Sequence, residues 1–117
     1  MSKPMVIGAS AGSNAVVAKD FVETDGSGCV KAFDGTGDIL GITIANKDVN
    51  NMVGVIKQGI VFVPTVSYGT YQFGDKVEWA AGQTVQSLST GVLVGTIAKT
   101  KQATSTDNLL AVYVNFA

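Results

Sequence analysis

The sequence predicts an all-β fold, and three observations carry that prediction. There are seventeen Val and seven Ile against five Leu and two Glu, and β-branched side chains suit a pleated sheet better than a helix. Gly is high, at fourteen residues, which favours turns and bulges. The third observation is an internal duplication. Thr36-Gly37-Asp38-Ile39-Leu40-Gly41 returns as Thr90-Gly91-Val92-Leu93-Val94-Gly95. Asp20, Val22, Glu23 and Val30 precede the first copy much as Asp75, Val77, Glu78 and Val85 precede the second. Asn51 to Ile56 follows the first as Asn108 to Tyr113 follows the second. Two copies are too few for a solenoid. They suit a duplicated unit whose halves close on each other as one compact, barrel-like domain. At 117 residues the chain has the length of one domain and buries roughly 65% of its extended surface on folding.

Residues 1–15 are small and polar apart from Met5, Val6 and Ile7, and show no period. They read as a flexible N-terminal arm, with residues 16–117 as the β domain. Met5, Val6 and Ile7 are candidate partner contacts, since an arm can order by pairing with a neighbour's strand edge. Ala15 to Glu23 reads as a first strand pair, and Thr24 to Gly28 as a turn. Cys29 to Phe33 and Asp38 to Asn46 read as strands, separated by the Asp34 to Gly37 turn. Gly41 falls inside its strand at the same repeat position as Gly95, which points to a bulge or a close backbone approach.

Met52 to Val66 is the longest β-like stretch and joins the two halves. A bend is expected near Gly59, and at Pro64 the strand either ends or lies at an edge. Ile60-Val61-Phe62-Val63 is apolar on both faces and is expected to be buried on both. Ser67 to Gly74 reads as a loop holding Tyr68, Tyr71 and Phe73. These aromatics either cap an open barrel end or anchor a partner. Asp75 to Trp79, Gln83 to Leu88 and Val92 to Lys99 are strands. Residues 99–107 form a polar loop, and Leu110, Val112, Val114 and Phe116 alternate with Ala111, Tyr113 and Asn115 in a last strand.

The inventory for chemistry is poor. There is no His, so the commonest general base and metal ligand are missing. Cys29 is alone; it forms no internal disulfide and reads as a small strand residue rather than a nucleophile. One Cys without His excludes a zinc site. Asp25, Asp34 and Asp38 lie in Asp-Gly turns without the full calcium loop, and read as turn formers. Gly26-Ser27-Gly28 and Gly35-Thr36-Gly37 lack the helix and Lys of a phosphate cradle. Glu23 and Glu78 stand at equivalent repeat positions, so repeated structure explains them better than a catalytic pair. The chain therefore reads as a non-enzyme without catalytic residues, cofactor or metal. A net charge of −1 and the absence of Arg argue against a nucleic-acid partner and a polybasic membrane surface. No apolar run nears the ~20 residues of a membrane span, and the start lacks the apolar core of a signal peptide.

The twofold occurrence of an Asp-x-Val strand, a Gly turn, Thr-Gly-x-x-x-Gly and a closing Val-rich strand resembles the capsid cement, or head decoration, proteins of tailed bacteriophages. The residues that carry the likeness are Asp20 to Val22, Gly37 to Gly41 and Val53 to Val63 in the first half. In the second they are Gly74 to Val77, Gly91 to Gly95 and Val112 to Val114. The resemblance implies a non-enzymatic β-barrel or β-tulip domain that is made in the host cytoplasm. It implies a place on the outer capsid surface of the virion, as a homo-oligomer with a trimer favoured. The major capsid protein would be the partner, and the function would be bracing of the shell. No helix is evident here, although some members have one. The other reading is a receptor- or glycan-binding β module of a phage tail or surface assembly, with Tyr68, Tyr71 and Trp79 stacking on sugars.

Overall fold

The computed structural model describes residues 4–116, and among these there are strands and turns but no helix. The first three residues of the expected arm lie outside the described part. Eleven strands follow in order. They are β1 Met5–Ser10, β2 Phe21–Thr24, β3 Val30–Ala32, β4 Gly41–Thr43, β5 Met52–Pro64 and β6 Gly69–Tyr71. The rest are β7 Lys76–Ala80, β8 Thr84–Ser87, β9 Leu93–Ile97, β10 Lys101–Ala103 and β11 Leu109–Asn115. The chain divides into two compact units. The first runs to Gly59 and takes back Phe116; the second is Ile60–Asn115. The division falls at Gly59, where a bend was expected, and each unit holds one copy of the repeat.

In the first unit the strand order is β3-β2-β4-β5, with β1 also on β5, every pair antiparallel. In the second it is β8-β7-β9-β11, and β11 lies beside the last residues of β5. A separate two-stranded sheet joins β6 to β10. The repeat extends to single hydrogen bonds. Phe33 N–H donates to the Phe21 carbonyl as Leu88 N–H donates to that of Lys76. Thr43 donates to Asp20 as Ile97 does to Asp75, and Ile44 to Gly54 as Ala98 does to Ala111. Asp20 Oδ2 accepts from Val17 N–H at 3.1 Å, and Asp75 Oδ2 from Gln72 N–H at 2.9 Å. Each aspartate thereby closes the tight turn that feeds its strand.

The equivalent glycines have a steric cause. A Cβ on Gly41 would lie 2.5 Å from the Ile56 carbonyl oxygen, and one on Gly95 would come closer still to that of Tyr113. Neither contact can relax by a side-chain rotation, because the obstacle is backbone. The first unit's core gathers Ala11, Val16, Val22, Val30, Val53 and Val55, with Ala9 and Leu40 against it. In the second, Val61 and Val63 of β5 and Leu110, Val112 and Val114 of β11 are buried in strict alternation.

Four expectations need correction. Residues 5–10 are not a free arm: β1 pairs with β5 from Ser10↔Met52 to Met5↔Gln58. Lys47 Nζ then ties down the following turn by donating to the Gly12 and Asn14 carbonyls at 3.0 and 2.9 Å. Backbone pairing makes this strand, so no side-chain period announces it. Ala15–Asp20 is not extended into a strand, because Asp20 folds it into the turn just described. Ile60 and Phe62 are exposed, so the last part of β5 has one buried face rather than two. Finally, both polar loops contain a short strand, β6 and β10, which pair with each other.

Candidate functional site: apolar surface on the two repeat units

The two glutamates are the obvious candidates for chemistry, and the structure uses both as loop fasteners. They are buried. Glu23 Oε2 accepts from Asp34 N–H at 3.2 Å. Glu78 accepts from Ser89 N–H at 2.6 Å, Gly91 N–H at 3.0 Å and Gln86 Nε2 at 2.9 Å. These bonds, that of Ser89 first and Gln86 next, hold the Glu78 carboxyl below its ordinary pKa because they favour the charged form. A Cβ on Gly37 or Gly91 would press on the same carboxylates, which explains the Gly of each Thr-Gly pair.

The aspartates of the Asp-Gly turns are fasteners as well. Asp25 accepts from Ser27 N–H and Oγ, from Cys29 N–H and from Asn14 Nδ2. Asp34 accepts from Thr36 N–H and Oγ1. Both carboxyls are held below the usual range, first by the backbone N–H two residues on. Among the described residues no three His, Cys, Asp or Glu side chains are grouped to hold a metal. Cys29 is half-buried, with Sγ 3.8 Å from Ser10 Oγ.

Surface apolar groups are the more distinctive feature. Of the predicted contact residues, Met5, Val6 and Ile7 are exposed on β1 of the first unit. Tyr68 and Phe73 are exposed on either side of β6 in the second, Phe73 at 74%. Tyr71 is not available to a partner. It is 3% exposed, and its hydroxyl lies 3.2 Å from Thr65 Oγ1 and donates to the Ser67 carbonyl at 2.6 Å. It points inward because β6 pairs with β10, an arrangement invisible in a loop read from composition.

On the first unit Val6, Ile44 and Met52 surround Gly8 and Gly54. A Cβ on Gly54 would meet Ile44 Cδ1 at 3.1 Å and Val6 Cγ1 at 3.7 Å, and one on Gly8 would meet Met52 Cε at 3.9 Å. On the second unit the corresponding surface is open. Phe62, Leu109 and Ala111 floor a shallow groove of about 150 Å³, walled by Lys99, Thr100 and Lys101. Lys101 Nζ is paired with Asp107 Oδ1 at 2.6 Å. Thr100 Oγ1 accepts from Phe73 N–H at 2.9 Å, which ties the exposed aromatic to the groove wall. An apolar floor beside an exposed ammonium suits an apolar group that carries a negative charge.

The groove residues were missed in the sequence. The alternation of β11 put Ala111 outside, but Phe62 was assigned to the interior. The signal was present: Pro4 to Asp20 and Gly59 to Asp75 have equal spacing, so Met5-Val6-Ile7 aligns with Ile60-Val61-Phe62. Extending the repeat backwards would have made both segments leading strands with one exposed face. No family model matches the chain, and no curated protein matches it.

Proposed function

We propose that this chain is a non-enzymatic capsid cement, or decoration, protein. In this reading it binds the outer surface of a tailed-bacteriophage head through the major capsid protein and stabilises the shell. It acts as a homo-oligomer, for which a trimer is favoured. The observation that carries the reading is that each unit exposes neighbouring apolar side chains on its equivalent strands, Val6, Ile44 and Met52 on the first and Phe62, Leu109 and Ala111 on the second. Isolated exposed apolar residues are ordinary, whereas contiguous ones mark interaction surfaces. Every described buried polar side-chain atom has a hydrogen-bond partner, so no described buried polar group is left to be met by a ligand. Many weak contacts, multiplied over a lattice of copies, would brace a shell by avidity and mass action.

The test is the copy number of this protein in purified particles relative to the most abundant shell protein, followed by heat challenge of stripped and reloaded heads. A ratio near one with restored heat resistance supports cement. A few copies per particle, or reloading without protection, dismisses it. The glycan-binding alternative has less support. Tyr71 is buried, and Trp79 is half-buried with Nε1 donating to Gln83 Oε1 at 3.0 Å. Of the three aromatics that reading needs, Tyr68 alone has an open ring. A glycan array with a reproducible hit would restore it.

A further inference from the structure

The two units differ in complementary ways at one repeat position. In the first, Ile44 lies across Gly54 and fills the space. In the second the equivalent residues are Ala98 and Ala111, as their matching hydrogen bond shows, and the groove is open. The adjoining turn differs in the opposite sense. In the first unit it is Asp48-Val49-Asn50-Asn51, with Val49 97% exposed at its tip. In the second it is the polar Thr104-Ser105-Thr106-Asp107.

Nothing in the first turn calls for a valine. Asp48 builds it: Asp48 Oδ1 accepts from Asn50 N–H at 2.8 Å and Met52 N–H at 3.0 Å, and the Asp48 carbonyl accepts from Asn51 N–H at 2.9 Å. Turn positions of this kind favour polar residues or proline, so Val49 is an exposed apolar knob on a hydrogen-bonded turn, without a structural task. Its neighbouring charge is negative, because the Lys47 ammonium is turned away onto the Gly12 and Asn14 carbonyls. The groove carries the opposite charge in Lys99, while Lys101 is already paired with Asp107.

We propose that the Val49 knob of one copy docks into the Phe62–Leu109–Ala111 groove of a second copy, with Asp48 facing Lys99. Each copy presents one knob and one groove. The contact is therefore heterologous, and it propagates head to tail until the rotation closes a ring or continues as a filament. Val49 is 97% exposed, so its side chain is free to meet a second copy. The inference deepens the self-association in the proposed function but is tested on purified protein without any shell.

The experiment mixes two full-length variants on a Cys29→Ser background, one carrying Val49→Cys and the other Ala111→Cys, under mild oxidation. A disulfide-linked heterodimer is expected in the mixture and in neither variant alone. In parallel, sedimentation of the wild-type chain is compared with Val49→Asp, whose side chain touches nothing in the fold, and with Ala98→Ile, which copies the filled groove of the first unit. Each substitution is expected to weaken self-association at least tenfold while leaving the thermal transition of the monomer in place. A wild-type chain that stays monomeric at its highest soluble concentration overturns the proposal. So does an oligomer that neither variant weakens, or a mixture that gives no heterodimer. If Val49→Asp lowers binding to stripped heads but not self-association, the knob belongs to the shell contact and self-docking is wrong.

Discussion

The first unit covers its repeat position with Ile44 over Gly54; the second has Ala98 in place of Ile44, and its Ala111 lines an open groove. Their backbones share equivalent hydrogen bonds, from the Asp20 and Asp75 turns to the loops fastened by Glu23 and Glu78. The difference teaches which residues serve the architecture and which do not. Residues that recur, namely the glycines, the glutamates and the turn aspartates, answer to backbone geometry. Residues that differ at equivalent positions, such as Ile44 and Ala98 or Val49 and the Thr104–Asp107 turn, are free of that demand and shape the surface.

The comparison breaks most sharply at the shared glycines. Gly41→Ala and Gly95→Ala each drive a Cβ into a backbone carbonyl and should each cost more than about 3 kcal/mol, read by urea or guanidinium unfolding. Gly82→Ala is the contrast. Its Cβ meets open space and only its φ of 82° is unfavourable, so a loss of about 1 kcal/mol is expected. Equal losses at Gly95 and Gly82 would remove the close-approach explanation.

Next come residues buried by pairing. Tyr71→Phe deletes the hydroxyl shared with Thr65 and Ser67 and should cost about 1–2 kcal/mol. Tyr68→Ala, on the exposed side of the same segment, should stay within about 0.5 kcal/mol. The reverse order would mean that Tyr71 is not held as described.

The glutamates sharpen the comparison further. Glu78 holds three donors and Glu23 one of those described, so Glu78→Gln should lower the melting temperature more than Glu23→Gln. The Glu78 carboxyl has a lowered pKa in the folded state. Its stabilisation is therefore complete above the unfolded value of about 4.3 and is lost as pH falls from there through the folded value. Melting temperature measured across that acid range should fall less steeply in Glu78→Gln. An unchanged slope would show that the carboxylate is not ionised as a fastener.

The smallest effect belongs to the surface ion pair. Asp107→Asn removes the partner of Lys101, and both groups are solvent-accessible, so less than about 1 kcal/mol is expected. The consequence to look for is a more cationic groove, seen as tighter retention on a cation exchanger.

Much of the fold was legible because it follows from local rules and from the repeat. Val and Ile abundance, Asp-Gly turns and the doubled Thr-Gly motif announce strands and hairpins, and the strict alternation of Leu110, Val112 and Val114 assigns both faces of β11. The candidate surface was legible only in part. Val6 and Phe73, both named as candidate contacts, are exposed, whereas Tyr71 and Phe62 exchanged places between surface and interior.

The sequence by itself determined an all-β chain with two equivalent units, a geometric demand for glycine at both Gly41 and Gly95, and the shared structural position of the repeated glutamates. Each of these follows from backbone sterics or from periodicity along the chain. The tertiary structure alone decided that Met5–Ser10 is a strand, that Tyr71 is buried and that Phe62 floors a groove. The physical reason is common to all three. Backbone pairing with a distant strand, β5 for β1, β10 for β6 and β11 for the end of β5, sets which face of a segment is covered, and a few residues carry too little pattern of their own to show it.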